Sequence, residues 1–181
     1  MLSGMADVGS LLILTGPPGA GKSTVAELVA TGAERATVHM HTDSFYGWIK
    51  TGFVAPYLPA AARQNEVVVR VMAGAACEYA LGGYDVVLDG IIGPWFLPPF
   101  RAAAAEHGVP LSYVVLRPTL DATLARATAR TGAALTDVEP VTGMYRAFAD
   151  LGDLERHVLD TTGQTVEETA AQVRVRSATE M

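Results

Sequence analysis

The residues best suited to chemistry stand near the start of the chain. Gly16-Pro17-Pro18-Gly19-Ala20-Gly21-Lys22-Ser23 is a full match to G-x-x-x-x-G-K-[ST], with Thr24 directly behind it. Glycines at this spacing let successive backbone N–H groups turn inward around polyphosphate oxygens, and a helix starting near Lys22 adds the positive end of its dipole. Lys22 is then placed to reach the β- and γ-phosphates. The Ser23 hydroxyl is placed to ligate Mg²⁺, an ion that keeps water ligands and shares phosphate oxygens. The loop implies a nucleoside triphosphate, ATP in the first instance, without saying what is done with it. No Asn-Lys-x-Asp guanine-reading segment occurs, which argues against a regulatory GTPase. A motor or AAA+ machine would bring a longer chain with further modules.

Such a loop works only between a strand and a helix, and the apolar patterning supplies both. Short apolar runs recur at Ser10 to Thr15, Thr37 to His41, Tyr84 to Asp89, Leu111 to Arg117 and, more weakly, His157 to Asp160. Each is followed by a polar or glycine-containing turn, as strands are. Helical patterns lie between them. Over Ala60 to Leu81 the residues Val67, Val68, Val71, Met72, Ala75, Ala76, Tyr79 and Ala80 repeat at i, i+1, i+4, i+5, so that face is expected to pack inward, with Gly82-Gly83 ending the helix. Thr119 to Arg130 and Thr165 to Arg174 read as two more amphipathic helices. Alternating strands and helices predict an α/β fold: a five-stranded parallel sheet covered by helices on both faces, with ligands at the carboxyl ends of the strands.

The chain has 181 residues, half of them hydrophobic and 18% charged, with a mean hydropathy of +0.26. That suffices for one domain with its own core. No repeat or low-complexity tract divides it, so residues 1–181 are read as one domain, with Met1 to Gly9 as a flexible lead-in. A net charge of −6 sets the overall field against a broad nucleic-acid surface. The lone cysteine, Cys77, lies in an apolar stretch and reads as a buried small hydrophobe; it excludes a disulfide framework and suits a reducing cytoplasm. Leu11 to Leu14 is far shorter than the roughly 18 apolar residues of a membrane helix. Neither a nucleic-acid nor a membrane partner is expected, and oligomeric state stays open. Among the histidines, His41 is near Asp43, while His39, His107 and His157 show no metal-ligand spacing.

The order and spacing of these pieces resemble the small P-loop kinases of nucleoside-monophosphate-kinase-like fold. The closest branch is the chloramphenicol phosphotransferase-like and AAA-type ATP-binding proteins, with gluconate kinases and zeta-toxin kinases more distant. The resemblance covers nearly the whole chain. It rests on Gly16 to Ser23, on Thr42-Asp43-Ser44 after the second strand, on Val86-Val87-Leu88-Asp89-Gly90, and on Val115-Leu116-Arg117 followed by Arg126-x-x-x-Arg130. It implies a small lid near residues 126–145 and gives Asp43 the role of general base toward an acceptor hydroxyl. An alcohol must lose its proton as its oxygen approaches phosphorus, and a carboxylate at a strand's carboxyl end can receive it; helix capping is the other reading of Asp43. Asp89 looks like the second acidic element of P-loop proteins, holding Mg²⁺ or touching the acceptor, or else making a turn with Gly90. Arg126 and Arg130, four apart on one helix face, resemble the lid arginines that lie over adenine and neutralise the transferring phosphoryl group. After Arg130 the chain departs from that pattern, because Thr131-Gly132-Ala133-Ala134 lacks the charged residues often found there. Arg117 matches as well and is assigned a mainly structural role, and Thr161-Thr162-Gly163-Gln164 falls where related kinases pass a loop by the adenine edge.

Phe45, Tyr46, Trp48, Phe53 and Tyr57, then Trp95, Phe96 and Phe100, occupy the segments expected to hold the acceptor, about half of them as mere packing. With only Lys50, Arg63 and Arg101 as cations there, the region suits a partly apolar small molecule better than a highly charged one. The expected activity is Mg²⁺- and ATP-dependent phosphoryl transfer to a hydroxyl of a small molecule such as an antibiotic or other secondary metabolite. Lys22, Asp43 and Arg130 are the catalytic residues, Gly16 to Thr24 with Arg126 and Arg130 hold the nucleotide, and Ser23 and Asp89 hold the metal. A nucleotide or sugar-acid kinase, and a nucleotide-binding switch that hydrolyses ATP slowly, are the alternatives.

Overall fold

The computed structural model describes residues 7–128 and 137–179. Five parallel strands form one sheet: β1 (Leu11–Thr15), β2 (Thr37–His41), β3 (Asp85–Asp89), β4 (Leu111–Leu116) and β5 (Val158–Leu159), in the order β2-β3-β1-β4-β5. The expected strands therefore form, each within a few residues of its expected ends. Parallel neighbours need crossovers, and the helices supply them: α1 (Lys22–Thr31), α2 (Thr42–Gly47), α3 (Ala62–Leu81), α4 (Leu97–His107), α5 (Leu120–Thr128), α6 (Val138–Ala147) and α7 (Val166–Thr179).

Alternation along each strand splits the core in two. Leu11, Ile13, Leu88, Tyr113 and Val115 point to the side covered by α3 and α4, whereas Leu12, Leu14, Val87, Val114 and Leu116 point to α1 and α7. Burying each such side chain contributes on the order of 1.5–3 kcal/mol. On α7 Val166, Ala170 and Val173 face this second layer, as the periodicity predicts.

The inward face of α3 differs from the expected one. Val68, Val69, Met72, Ala73, Ala76, Cys77 and Ala80 are buried, while Val67, Val71 and Tyr79 are exposed. The helix is apolar over a band wider than one face, so the periodic template fits equally well when rotated by about one residue; contact with α4 and the sheet selects the face. Cys77 is buried there, in agreement with its reading as a small hydrophobe.

Of the expected lead-in, residues 1–6 lie outside the described residues, while the Gly9 N–H donates to the Ala80 carbonyl at 2.8 Å. The lid expected near 126–145 is described only as the last turn of α5 and as α6, which pack together. Among the described residues, no helix is long and apolar enough to cross a membrane.

Candidate active site at the carboxyl end of the sheet

The fully buried central strand β1 delivers the chain into Gly16. At Gly16 φ is 144°, and a Cβ there would lie 2.1 Å from the Leu116 carbonyl oxygen; at Gly19 φ is 85°, and a Cβ would lie 2.4 Å from the Thr123 carbonyl oxygen. Strand β4 and helix α5 thus press directly on the loop, and only glycine accepts both the backbone geometry and the approach. The Pro17 carbonyl accepts from the Ala20 N–H at 3.2 Å and from Lys22 Nζ at 3.0 Å. Lys22 is 7% exposed, its ammonium folded over the loop. Helix α1 starts at Lys22 with no acidic residue in its first turn, so nothing in that turn offsets the positive end of its dipole. Ser23 and Thr24 are exposed on the same turn.

Ser23 Oγ donates to Asp89 Oδ2 at 2.5 Å. Asp89 is the last residue of β3 and 3% exposed. A hydroxyl and a carboxylate converging at the mouth of the loop are hard oxygen donors of the kind Mg²⁺ takes. Next to the loop is a cavity of about 340 Å³ lined by Gly19, Gly21, Thr24, Arg126, Thr161 and Gln164 among others. The turn after β5 is fixed by Asp160: its Oδ1 accepts from the Thr162 N–H at 2.9 Å, and its carbonyl accepts from Gln164 Nε2 at 2.9 Å. The hydrogen bonds from the Thr162 side chain and backbone hold the Asp160 carboxyl below its ordinary range. Thr161 is 2% exposed, and its hydroxyl has no hydrogen-bond partner among the described residues. A buried unpaired hydroxyl in a cavity beside a phosphate cradle fits a ligand that brings a polar edge. The Thr161 to Gln164 segment and Arg126, 35 or more positions apart in the chain, therefore share one cavity with the phosphate loop.

Asp43 is the second residue of α2 and exposed; His41 occupies the N-cap position, so Asp43 is not the capping residue. On the same helix, the Tyr46 hydroxyl donates to Asn65 Oδ1 at 3.2 Å. Burial, and then the charge of Asp43, push the Tyr46 hydroxyl up to about 12. Asn65 Nδ2 in turn donates to the Pro56 carbonyl at 2.7 Å, while Gln64 pairs with both backbone groups of Val54, at 2.9 and 2.7 Å. These amides pin the irregular segment 53–58 onto the start of α3 and open a groove of about 460 Å³, lined by Tyr57, Leu58, Asn65, Glu66, Trp95 and Phe96 with their neighbours. Trp95 is half exposed; its ring covers Gly93 and meets Phe148 edge-on at 5.6 Å. Of the eight aromatics singled out in the sequence, Tyr57, Trp95 and Phe96 line this groove, Phe100 is core, and Phe45 and Tyr46 pack against the core. Trp48 and Phe53 lie exposed outside the groove lining. Lys50, Arg63 and Arg101 do not line it either.

Arg130 lies outside the described residues. Arg117 grips Glu155 through two bonds of 2.8 Å and donates to the Phe148 carbonyl at 2.8 Å, tying the end of β4 to the turn before β5, a structural role.

The sequence reading found no metal-ligand spacing among the histidines and did not reach Glu27. His39 and His41 alternate onto one face of β2, and Asp89 is the register partner of His41 on β3. His39 Nε2 lies 3.0 Å and His41 Nδ1 2.8 Å from Asp89 Oδ1, while His39 Nδ1 lies 2.9 Å from Glu27 Oε2 on α1. Spacing of i, i+2 on a strand was the available signal for the two histidines; the carboxylates come from elements that only the fold brings alongside.

The family described as AAA domain matches residues 11–149. No curated protein matches the chain. Among solved structures, the tunicamycin resistance protein of Deinococcus radiodurans aligns with a TM-score of 0.65 at 17% identity, over 92% of this chain and 94% of that one. A gluconokinase from Sinorhizobium meliloti 1021 aligns at 0.64 and 18% identity, over 96% and 93%. The APS kinase of Mycobacterium tuberculosis, in complex with AMPPNP and APS, aligns at 0.59 and 20% identity, over 92% and 96%. These likenesses show a common fold, that of the P-loop kinases.

Proposed function

The chain belongs to the AAA domain family, and from that premise we propose that it is a Mg²⁺- and ATP-dependent phosphotransferase acting on a hydroxyl of a small, partly apolar molecule. The observation that carries this reading is a pair of separate cavities at one end of the sheet. One is built on the phosphate loop, and the other, lined by aromatics and a single carboxylate, joins the helix of Asp43 through Tyr46 and Asn65. A nucleotide hydrolase has no need of the second. Among the described residues, Glu66 is the one charged residue lining the groove. That carboxylate is already paired with Arg63 at 3.3 Å and Arg70 at 2.9 Å, and no cation lines the groove among the described residues, which disfavours an anionic acceptor, whether a sugar acid or a nucleotide, and favours a neutral one, an antibiotic or other secondary metabolite among them.

In this reading the backbone amides between Gly16 and Ser23 hold the phosphates, Lys22 spreads charge over the β- and γ-oxygens, and Arg126 closes the nucleotide cavity; Arg130, outside the described residues, keeps the charge-neutralising role expected from the sequence. Ser23 and Asp89 would hold magnesium, which when bound supplies charge neutralisation across the phosphates. Asp43 takes the acceptor's proton as the new oxygen–phosphorus bond forms and the γ-phosphorus leaves the β-phosphate oxygen. Arrangement in one domain with a lid near 126–145, working in the cytoplasm, belongs to the same proposal.

The test is product analysis with Mg-ATP and a panel of alcohols, neutral and cationic metabolites included, by mass spectrometry. Expected is phosphorylated product in step with ADP. Asp43→Asn is expected to keep nucleotide affinity while lowering transfer by two or more orders of magnitude, on the order of 3 kcal/mol in the barrier. Phosphate release that no acceptor stimulates overturns the reading in favour of a switch, and a normally active Asp43→Asn removes the base assignment.

A further inference from the structure

We propose that His39, His41 and Asp89 form a site for a divalent transition cation, of the Zn²⁺ or Co²⁺ class, at the edge of the phosphate loop. The ligand atoms of these three residues all lie within 4.8 Å of one another. The two shortest separations, 3.0 Å and 2.8 Å to the same Asp89 oxygen, are close to the roughly 3.3 Å edge of a tetrahedron with metal–ligand lengths of about 2.0–2.1 Å. A small outward shift of the exposed His41 ring admits the ion.

Three features separate this cluster from a chance meeting of polar groups. First, two imidazole nitrogens and one carboxylate oxygen are a borderline donor set, which favours transition cations over Mg²⁺. Second, the two inner ligands are oriented from behind: the part-buried His39 turns Nδ1 to Glu27 Oε2 at 2.9 Å, and the buried Asp89 accepts from Ser23 through Oδ2 at 2.5 Å. Carboxylate–histidine pairs of this kind fix the tautomer that leaves Nε2 free for metal. Third, a neutral imidazole has one N–H, yet His39 has a carboxylate oxygen against each nitrogen. His41 brings another nitrogen to the same Asp89 oxygen, so two imidazoles converge on one carboxylate. His41 is 46% exposed on its side chain, so the site opens to solvent, with positions left for water or for a ligand oxygen.

The site shares Asp89 with the magnesium position proposed above, but it does not rest on phosphoryl transfer and is tested without nucleotide. The untagged full chain, stripped with chelator, is titrated with Co²⁺ and followed by visible absorption, then with Zn²⁺ in competition. Expected is one equivalent of Co²⁺ with tetrahedral or five-coordinate d–d bands, displaced by Zn²⁺ and not by excess Mg²⁺. His39→Gln and His41→Gln are each expected to weaken binding by tenfold or more, and Glu27→Gln, which leaves all three ligands in place, by about 10–100-fold. Thermal unfolding of each variant checks that it folds, and the exposed His41 provides the variant least able to disturb the core. Absence of d–d bands, displacement of Co²⁺ by Mg²⁺, or a folded His41→Gln chain that binds like the parent overturns the proposal. A chain that binds cobalt but phosphorylates no acceptor would leave the site standing and the proposed activity not.

Discussion

At the carboxyl end of the sheet, Gly16 to Ala20 are buried without a break, whereas in the neighbouring groove Tyr57 and Trp95 leave 57% and 46% of their surface to solvent. The loop is one contiguous segment locked by local bonds such as Lys22 to Pro17, and by the backbones of β4 and α5 pressing on its glycines. The groove is assembled from the segment before α3, from α3 itself and from the start of α4, and it is held by side-chain amides reaching across 9 or 10 positions. A site for an invariant group such as a polyphosphate is best built from backbone, whose geometry is fixed by few residues. A site for a variable acceptor is built from side chains, which can change one at a time without disturbing the fold.

Three substitutions sharpen or break that contrast. Lys22→Met keeps the bulk of the side chain while removing its charge from the buried loop; transfer is expected to fall about 1,000-fold, in kcat more than in acceptor KM. An unchanged kcat would mean that the loop binds without contributing to the transition state. In the groove, Trp95→Ala is expected to raise the acceptor KM about tenfold, roughly 1.4 kcal/mol, with the KM for ATP unchanged. Equal effects on both substrates would show that the two cavities are not separate. The smallest effect belongs outside both, at the Arg117–Glu155 pair. The Arg117 hydrogen bond, then the Leu151 N–H, hold the half-exposed Glu155 carboxyl down at about 2 from an ordinary 4.5. Because the folded-state value is the lower one, this pair stabilises above about pH 4.5, and that contribution is lost as pH falls towards 2. After screening by water, Glu155→Gln is expected to cost about 1 kcal/mol at neutral pH. Thermal unfolding of the two chains should show the gap narrowing through that acid window while activity at pH 7 is retained.

The same contrast explains what was legible in advance. Strand order aside, the fold could be read because apolar runs and glycine punctuation recur at the lengths a parallel sheet requires, and β1 to β5 form where those runs lie. The inward face of α3 was misplaced by about one residue because a helix apolar on more than one side carries no unique phase. Eight aromatics marked the segments expected to hold an acceptor without distinguishing the three that line the groove from Phe100 in the core.

By itself, the sequence determined the phosphate loop, the parallel sheet behind it, the position of Asp89 at a strand end and that of Asp43 just after one, since each is encoded by neighbours within one turn or one strand. The tertiary structure alone decided the sheet order, the cavity that joins Arg126 to Thr161, and the meeting of His39, His41, Glu27 and Asp89 from β2, α1 and β3. Local spacing determines which side chains share a face, but which faces meet depends on how strands 48 positions apart pair, Thr37 with Asp85 through His41 with Asp89, and no short segment contains that information.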